Sequence, residues 1–465
     1  MNHKKLLLTL TLCLCALLCM VVTASASEVS VHSHPVCGKT HIDIGDHTGT
    51  CEDVTWTAWD GTSEIAYDST TKTAYIYLAD NVQISDALTI PQGHTLYLCL
   101  NGHDIIRTGN LIQIQEDASF TLCDCKGDKA EYGKLDSNKG GRAVSFGGSK
   151  TGTFTMYGGI ITGGNVTGNS GGGVFVGDKK TFTMYGGTIT GNSARYTGGG
   201  VVVYGAFNMY GGAITGNSAQ EGGGGVAAHG TFNMYGGAIT DNTCNGSYNG
   251  GGVYVKNGTW STGAITLSGS VQIKDNYKGS NSNKKPSNLY LTNNKEIAVE
   301  GSLTGSSIGV TTATEPSTGS NVTFAVGSEN TITTGIFTPD TAGVLVGVAA
   351  DGTSAYLYKC SHVYEWAYDE EYHWKKCTNV GCDSVEAGSK IAHTWDYPAT
   401  YTAPKTCVCG ATQGEPLTRS YYYYTPSAAE NKKDSPKTAD PGVLLYAGLA
   451  LASLTGLACT AKKRH

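Results

Sequence analysis

Between Cys360 and Cys409 lie eight side chains able to ligate a metal or to form crosslinks: Cys360, His362, His373, Cys377, Cys382, His393, Cys407 and Cys409. Thiolate and imidazole are the donors of tetrahedral zinc, while thiols alone pair as disulfides. The segment also carries Trp366, Trp374 and Trp395, but it is too short for a large core of its own, so it needs a metal or crosslinks to hold a shape. The close pairs Cys377 with Cys382 and Cys407 with Cys409 are the zinc candidates. The first pair is separated by four residues and the second by one. That spacing is not a repeated knuckle, and it leaves zinc and disulfides both open. A smaller set, His34, Cys37, His41, His47 and Cys51, reads as capping chemistry ahead of the main body.

Two further groups could do chemistry. Cys99 and Cys123 each follow a leucine and stand 24 residues apart. On adjacent coils of a stacked structure their Cα atoms would be about 5 Å apart, which permits either a disulfide or two stacked thiols. Tyr157, Tyr185, Tyr210 and Tyr235 recur at one phase of a repeat and are expected on one outer face. Such a strip can contact sugar rings, with the phenols hydrogen-bonding hydroxyls, or can simply cover a sheet. Carboxylates give no comparable pattern. Asp178, Glu221, Asp241 and Asp275 read as lying at different points of their coils, and Asp104, Glu116, Asp117, Asp124, Asp128 and Glu131 read as solvated turns. No catalytic residue is therefore assigned.

What must position these groups is a repeat. Phe154-Thr-Met-Tyr-Gly-Gly returns at Phe182, Phe207 and Phe232, with an isoleucine seven residues on (Ile161, Ile189, Ile214, Ile239). A glycine triplet then precedes Val174–Val176, Val201–Val203, Val226–Ala228 or Val253–Val255, and a worn fifth copy surrounds Trp260 and Ile265. A period in the twenties marks a solenoid. Each copy holds three short stretches of period two, broken by Gly and Asn, so the stretches are strands. Stacking copies at about 4.8 Å gives an all-β, right-handed parallel β-helix with Phe, Met, Ile and Val inward. Asn192, Asn217 and Asn242 align at one corner, with the first copy slipped by a residue. Strand-like segments at Tyr75–Leu78, Thr95–Leu100, Ser119–Leu122, Asn288–Leu291, Ile297–Val299, Val322–Val326 and Val344–Val348 extend the body to 54–358, roughly a dozen coils of about 4.8 Å.

Composition agrees: 64 glycines and 27 tyrosines in 465 residues, 15% charged, and a net charge of −6. There is no excess of Lys and Arg to neutralise phosphates, which argues against nucleic acid as a partner. The chain opens with Lys4-Lys5, an apolar stretch from Leu6 to Val22 and Ala24-Ser25-Ala26, the pattern of a secretory signal peptide over 1–26. Residues 27–53 read as a cap, 359–410 as the Cys/His-rich module and 411–441 as a linker. Residues 442–461 form an apolar run long enough to span a bilayer as a helix, followed by a basic tail at 462–465.

Ser435-Pro-Lys-Thr-Ala439, followed by that run and tail, resembles the Gram-positive cell-wall sorting signal. The resemblance implies a sortase that cuts between Thr438 and Ala439 and joins Thr438 to peptidoglycan. Ser435 and Ala439 depart from the pattern, and a permanent membrane anchor is the alternative. Leu98-Cys-Leu-Asn-Gly-His103, Leu122-Cys-Asp-Cys125 and the repeated M-Y-G-G-x-I-T-G-N with G-G-G-V are similar to the pectin-lyase-like β-helix surface proteins of Gram-positive (Firmicute) bacteria. The likeness covers about 32–360. The module at 360–410 resembles the short Cys/His modules that follow such β-helices. By these resemblances the chain is expected to be a non-catalytic cell-surface rod, an adhesin or glycan-contacting protein held outside the cell on wall or membrane. The alternatives are a polysaccharide lyase or glycosidase and a purely structural stalk.

Overall fold

A computed structural model describes residues 56–125, 131–246, 250–258, 262–280 and 283–419, apart from 380, 381 and 383. The signal-like segment, the cap at 27–53, Trp260, the sorting-like Thr438 and Ala439 and the apolar run at 442–461 lie outside the described residues. Among the described residues no helix is long and apolar enough to cross a membrane. The chain divides into two compact units, a large one reaching Ile391 and a small one that begins in earnest at Ala392.

The large unit is a parallel β-solenoid. Ten successive parallel pairings link eleven strands in one wall, from Thr57–Trp59 through Gly152–Met156, Lys180–Met184 and Ala206–Met209 to Val322–Gly327. At about 4.8 Å per step the wall is about 48 Å long. The repeat sets the register: Phe154 pairs with Phe182, Phe182 with Phe207, and Phe207 with Phe232. These rings stack in the core at centroid spacings of 4.7, 4.6 and 5.0 Å. A second wall stacks Ile161, Ile189, Ile214 and Ile239, and a third stacks the valine triplets. All of the inward Phe, Met and Ile side chains of the four clear copies are fully buried. One coil's apolar face is thus covered only by its neighbours, which is why a copy is unstable alone and stable in series.

Two features differ from the sequence expectation. Five central coils carry a fourth, two-residue ladder, which runs Asn165–Val166, Ser193–Ala194, Ser218–Ala219, Thr243–Cys244 and Tyr277–Lys278. Two residues are too few to print an alternating pattern. The segment Val344–Val348 is a strand, as expected, but not a further coil. It pairs antiparallel with Ser354–Lys359, which also pairs antiparallel with Val322–Gly327. An antiparallel hairpin closes the otherwise unpaired edge of the last coil.

The corner asparagines form a buried ladder longer than the sequence shows. Asn192, Asn217, Asn242, Asn276 and Asn288 follow one another, and in the first copy Gly164 occupies the position, so the one-residue slip of Asn165 is real. Each side-chain oxygen accepts from the amide and the side-chain nitrogen of the asparagine before it. The series ends on Asp340, whose carboxylate accepts from Asn288 N at 2.7 Å, Asn288 Nδ2 at 2.6 Å and Thr311 Oγ1 at 3.0 Å. An asparagine must pass a donor onward. The terminal group has nothing to pass it to, so an acceptor-only carboxylate fits.

Burial pushes the Asp340 carboxyl above its ordinary 3.8, against the opposing hydrogen bonds from Asn288 and Thr311. The folded state therefore holds the neutral form more readily than the unfolded chain does. This group's contribution is most favourable below pH 3.8 and is lost as pH rises through the elevated folded value. The difference in urea midpoint between the wild type and Asp340→Asn should vary with pH across that window. A difference flat in pH would contradict the assignment.

Candidate functional site

The glycine pair after each Met-Tyr shapes the outer face of the solenoid. At Gly211 a Cβ would lie 2.5 Å from Tyr185 O, and at Gly212, with φ +84°, it would lie 2.6 Å from Met184 Cε. The first position is glycine because the coils approach too closely there, and the second because the chain turns left-handed over the methionine beneath. The result is a bare backbone floor beside the tyrosines.

Tyr157, Tyr185, Tyr210 and Tyr235 stack as the repeat predicts, at centroid spacings of 5.0, 5.0 and 4.8 Å and interplanar angles of 8–18°. Their ring faces are turned to one another, so the column presents edges and hydroxyls outward rather than flat platforms. Burial, and then the neighbouring phenol Tyr210, makes Tyr185 and Tyr235 weaker acids than a free phenol, with Glu300 adding to the effect at Tyr235, so both hydroxyls remain donors at neutral pH. The column stops at Tyr235, where the next coil has a register shift after Met234 and places Gly269 and Ser270 near Gly236. There a groove of about 730 Å³ opens, walled by Tyr210 and Tyr235, floored by Gly211, Gly212, Gly236 and Gly237, and edged by Ser270 and Gln272. Among the described residues no charged side chain lines it, although Glu300 is near enough to act on the Tyr235 phenol.

Cys99 and Cys123 belong to the same column. Tyr77 pairs with Cys99, Cys99 with Cys123, and Tyr157 takes the next place, since Met156 pairs with Leu122. The cysteines are on adjacent coils as their spacing predicts. Both are buried thiols in the structure, packed with Trp56 and Tyr77, and burial raises Cys99 far above an ordinary thiol. A second aromatic column, which sequence reasoning missed, runs through Phe175, Tyr204, His229, Tyr254 and Tyr290, with Arg142 4.6 Å over Phe175. Its members differ in type, so no repeat reveals it.

The upstream acids serve turns. Asp104 accepts from Lys134 N at 2.9 Å, Asp124 from Gly133 N at 2.8 Å and Glu116 from Ser149 N at 2.6 Å. Asp128 lies outside the described residues. The separation of Asp241 from Asp275 is corrected: with Ile239 paired to Ile273, the two aspartates stand in register on adjacent coils. Asp241 N donates to Asp275 O at 3.0 Å, both aspartates are exposed, and both are left-handed, at φ 58° and 57°. They fill the place that Gly191 and Gly216 take in the coils before them. The sequence signal was present, since Asp275-Asn276 repeats Asp241-Asn242.

The four cysteines expected to hold zinc fall into two Cys/His groups, two in the large unit and two in the small one. In the large unit, Cys377 and Cys382 meet Cys360 and His362, and the four ligand atoms all lie within 4.8 Å of one another. The antiparallel hairpin of Tyr364–Tyr368 with Tyr372–Cys377 brings Cys377 back beside Tyr364, two residues after His362. Cys360 Sγ is 3.6 Å from Cys377 Sγ, and Cys382 Sγ is 3.4 Å from His362 Nδ1. Burial opposes ionisation of Cys377, but the Asn379 amide, His362 and the neighbouring thiols outweigh it and bring the thiol down to about 6. In the small unit, His393, Cys407 and Cys409 gather in the same manner, with Cys409 Sγ 3.5 Å from His393 Nδ1. Both groups are compatible with the donor set of zinc.

No family model matches the chain, and neither does any curated protein or solved structure.

Proposed function

We propose that the chain is a non-catalytic bacterial surface protein: a pectin-lyase-like β-helix, held outside the cell on wall or membrane, that contacts neutral glycans along the Tyr157–Tyr235 column. Right-handed winding follows from the handedness rule for parallel crossovers. Export, anchoring and the partnership with sortase and peptidoglycan rest on the two chain ends, whose patterns are those of a signal peptide and a sorting signal. The glycan contact rests on one observation, the uncharged groove at the end of the tyrosine column. Its hydroxyl donors, bare glycine floor and absence of charge suit a neutral polyhydroxylated chain better than an anionic one. The coil spacing of the tyrosines is also close to the length of one hexose unit. Because the rings present edges, hydrogen bonds from the phenols carry recognition, and affinity is modest.

The test is a glycan array together with retention on insoluble neutral polysaccharides. Binding should weaken at least about tenfold, or about 1.4 kcal/mol, when the four tyrosines become serine. An array signal that is unchanged in that variant removes the glycan reading and leaves the structural stalk. A second reading, a glycosidase or lyase, draws on the in-register pair Asp241 and Asp275, because paired carboxylates are what glycoside hydrolysis requires. Sugar release that disappears in Asp241→Asn/Asp275→Asn would favour it.

A further inference from the structure

We propose that Cys360, His362, Cys377 and Cys382 hold a structural zinc ion that fastens the end of the solenoid to the hairpin after it. The geometry carries the argument. With Zn–S near 2.3 Å and Zn–N near 2.0 Å, a tetrahedron has S···S edges of about 3.8 Å and S···N edges of about 3.5 Å. The observed edges are 3.6 Å for Cys360 to Cys377 and 3.4 Å for Cys382 to His362. A disulfide requires sulfurs at about 2.05 Å and has no use for an imidazole. Parity points the same way: the group contains three thiols, so any disulfide within it strands one, whereas three thiolates and one imidazole complete a four-coordinate shell.

The three thiols are enclosed, and the fourth ligand, His362, is exposed at the rim. Cys360, Cys377 and Cys382 are buried with Leu345 against Tyr358 and Tyr364. Asn379 Nδ2 donates to Cys360 Sγ at 2.9 Å, the kind of outer hydrogen bond that supports a metal-bound thiolate. Cys360 directly follows the closing strand Ser354–Lys359, and Cys377 ends the hairpin strand, so one ion ties two segments that share little core. The arrangement also recurs independently. In the small unit an imidazole again stacks on an aromatic ring two residues on, His393 on Trp395 at 5.2 Å, as His362 does on Tyr364 at 5.3 Å. There too the histidine Nδ1 faces the last cysteine of a turn, Cys409. In each unit a backbone hydrogen bond closes the turn that carries the cysteine pair: Cys377 N to Ser384 O, and Cys407 N to Ala411 O, both at 2.9 Å. Sequence spacing obscured this likeness because the two turns differ in length.

The whole purified chain is assayed for metal, with and without reductant during purification. Wild-type protein should retain zinc through dialysis, and cobalt substitution should give thiolate-to-cobalt absorption in the near ultraviolet. Cys360→Ser should lose one equivalent of metal, while His362→Cys, which keeps four ligands, should retain it. The solenoid's circular dichroism should be unchanged in both. A readout that needs no variant is alkylation of Cys377 and Cys382 in native protein, which should be slow until a chelator is added. Metal-free wild-type protein with these cysteines in disulfides would overturn the proposal. So would alkylation that ignores chelator, or a Cys360→Ser variant with full metal content.

Discussion

Gly199→Ala is expected to destabilise the central coils by about 3 kcal/mol or more, read as a drop in urea midpoint and as lost amide protection at Val201–Val203. Gly199 is hydrogen-bonded to the coils on both sides, from its own nitrogen to Gly223 O at 3.1 Å and from Gly173 N to its oxygen at 3.0 Å. Those bonds fix the coil spacing, and a Cβ added there would overlap the Ser218 carbonyl and lie 2.6 Å from Gly224 O. Both obstacles are main chain, which cannot rotate away, so the coils must part and give up parallel hydrogen bonds. Gly172, Gly224 and Gly251 meet the same obstacle in their own coils. Gly216 is the control. It has φ +66°, but the nearest atom to an added Cβ is Thr190 Oγ1 at 3.2 Å. Gly216→Asp should cost about 1–2 kcal/mol at most, the left-handed penalty that Asp241 and Asp275 already bear at the same corner. Equal effects at the two glycines would mean that conformation, and not coil contact, explains the glycine triplets.

That contrast also shows which parts of the fold were legible in the sequence. Phe154, Phe182, Phe207 and Phe232 announce their own neighbours, because a parallel stack places each residue on its copy, and equal spacing therefore becomes equal height. The tyrosines follow for the same reason. Legibility fails wherever a coil changes length. From Asn242 to Asn276 the ladder advances 34 residues rather than 25, and by counting alone Asp275 seemed unrelated to Asp241. Asn288 and Asp340 are further still from the repeat, 52 residues apart, and only the fold joins them. The Cys/His segment fails differently. Its ligands are grouped by a hairpin register and by turns of unequal length, and spacing carries no trace of either, so the sequence names the candidate ligands without dividing them into their two groups. The orientation of the tyrosine rings was equally invisible, since alternation tells which side a ring is on but not whether it lies flat.

Asn217→Ala should be as damaging as the glycine change, about 3–5 kcal/mol, because it orphans several buried groups at once. Asn217 Nδ2 donates to Ile189 O at 2.8 Å, to Thr215 O at 3.1 Å and to Asn242 Oδ1 at 3.0 Å, and its oxygen accepts from both Asn192 N and Asn192 Nδ2. Asn217 and Asn192 are each only 1% exposed, so water cannot stand in without the coils opening. Truncation thus leaves the Asn192 amide without its acceptor and the Ile189 and Thr215 carbonyls short of a donor, while Asn192 Nδ2 keeps Ile161 O and Thr190 O. Asn217→Asp discriminates between lost volume and lost hydrogen bonds. It conserves shape but offers no donor and sets a carboxylate against the Ile189 and Thr215 carbonyls, so it should be at least as destabilising as alanine. The same carboxylate is tolerated at Asp340 because every group facing it there is a donor. Urea midpoints measured above pH 7 for Asn217→Ala, Asn217→Asp and wild type decide the matter. An aspartate variant close to wild type would mean that the corner is held by packing, and that the side-chain ladder adds nothing to the stacking of the coils.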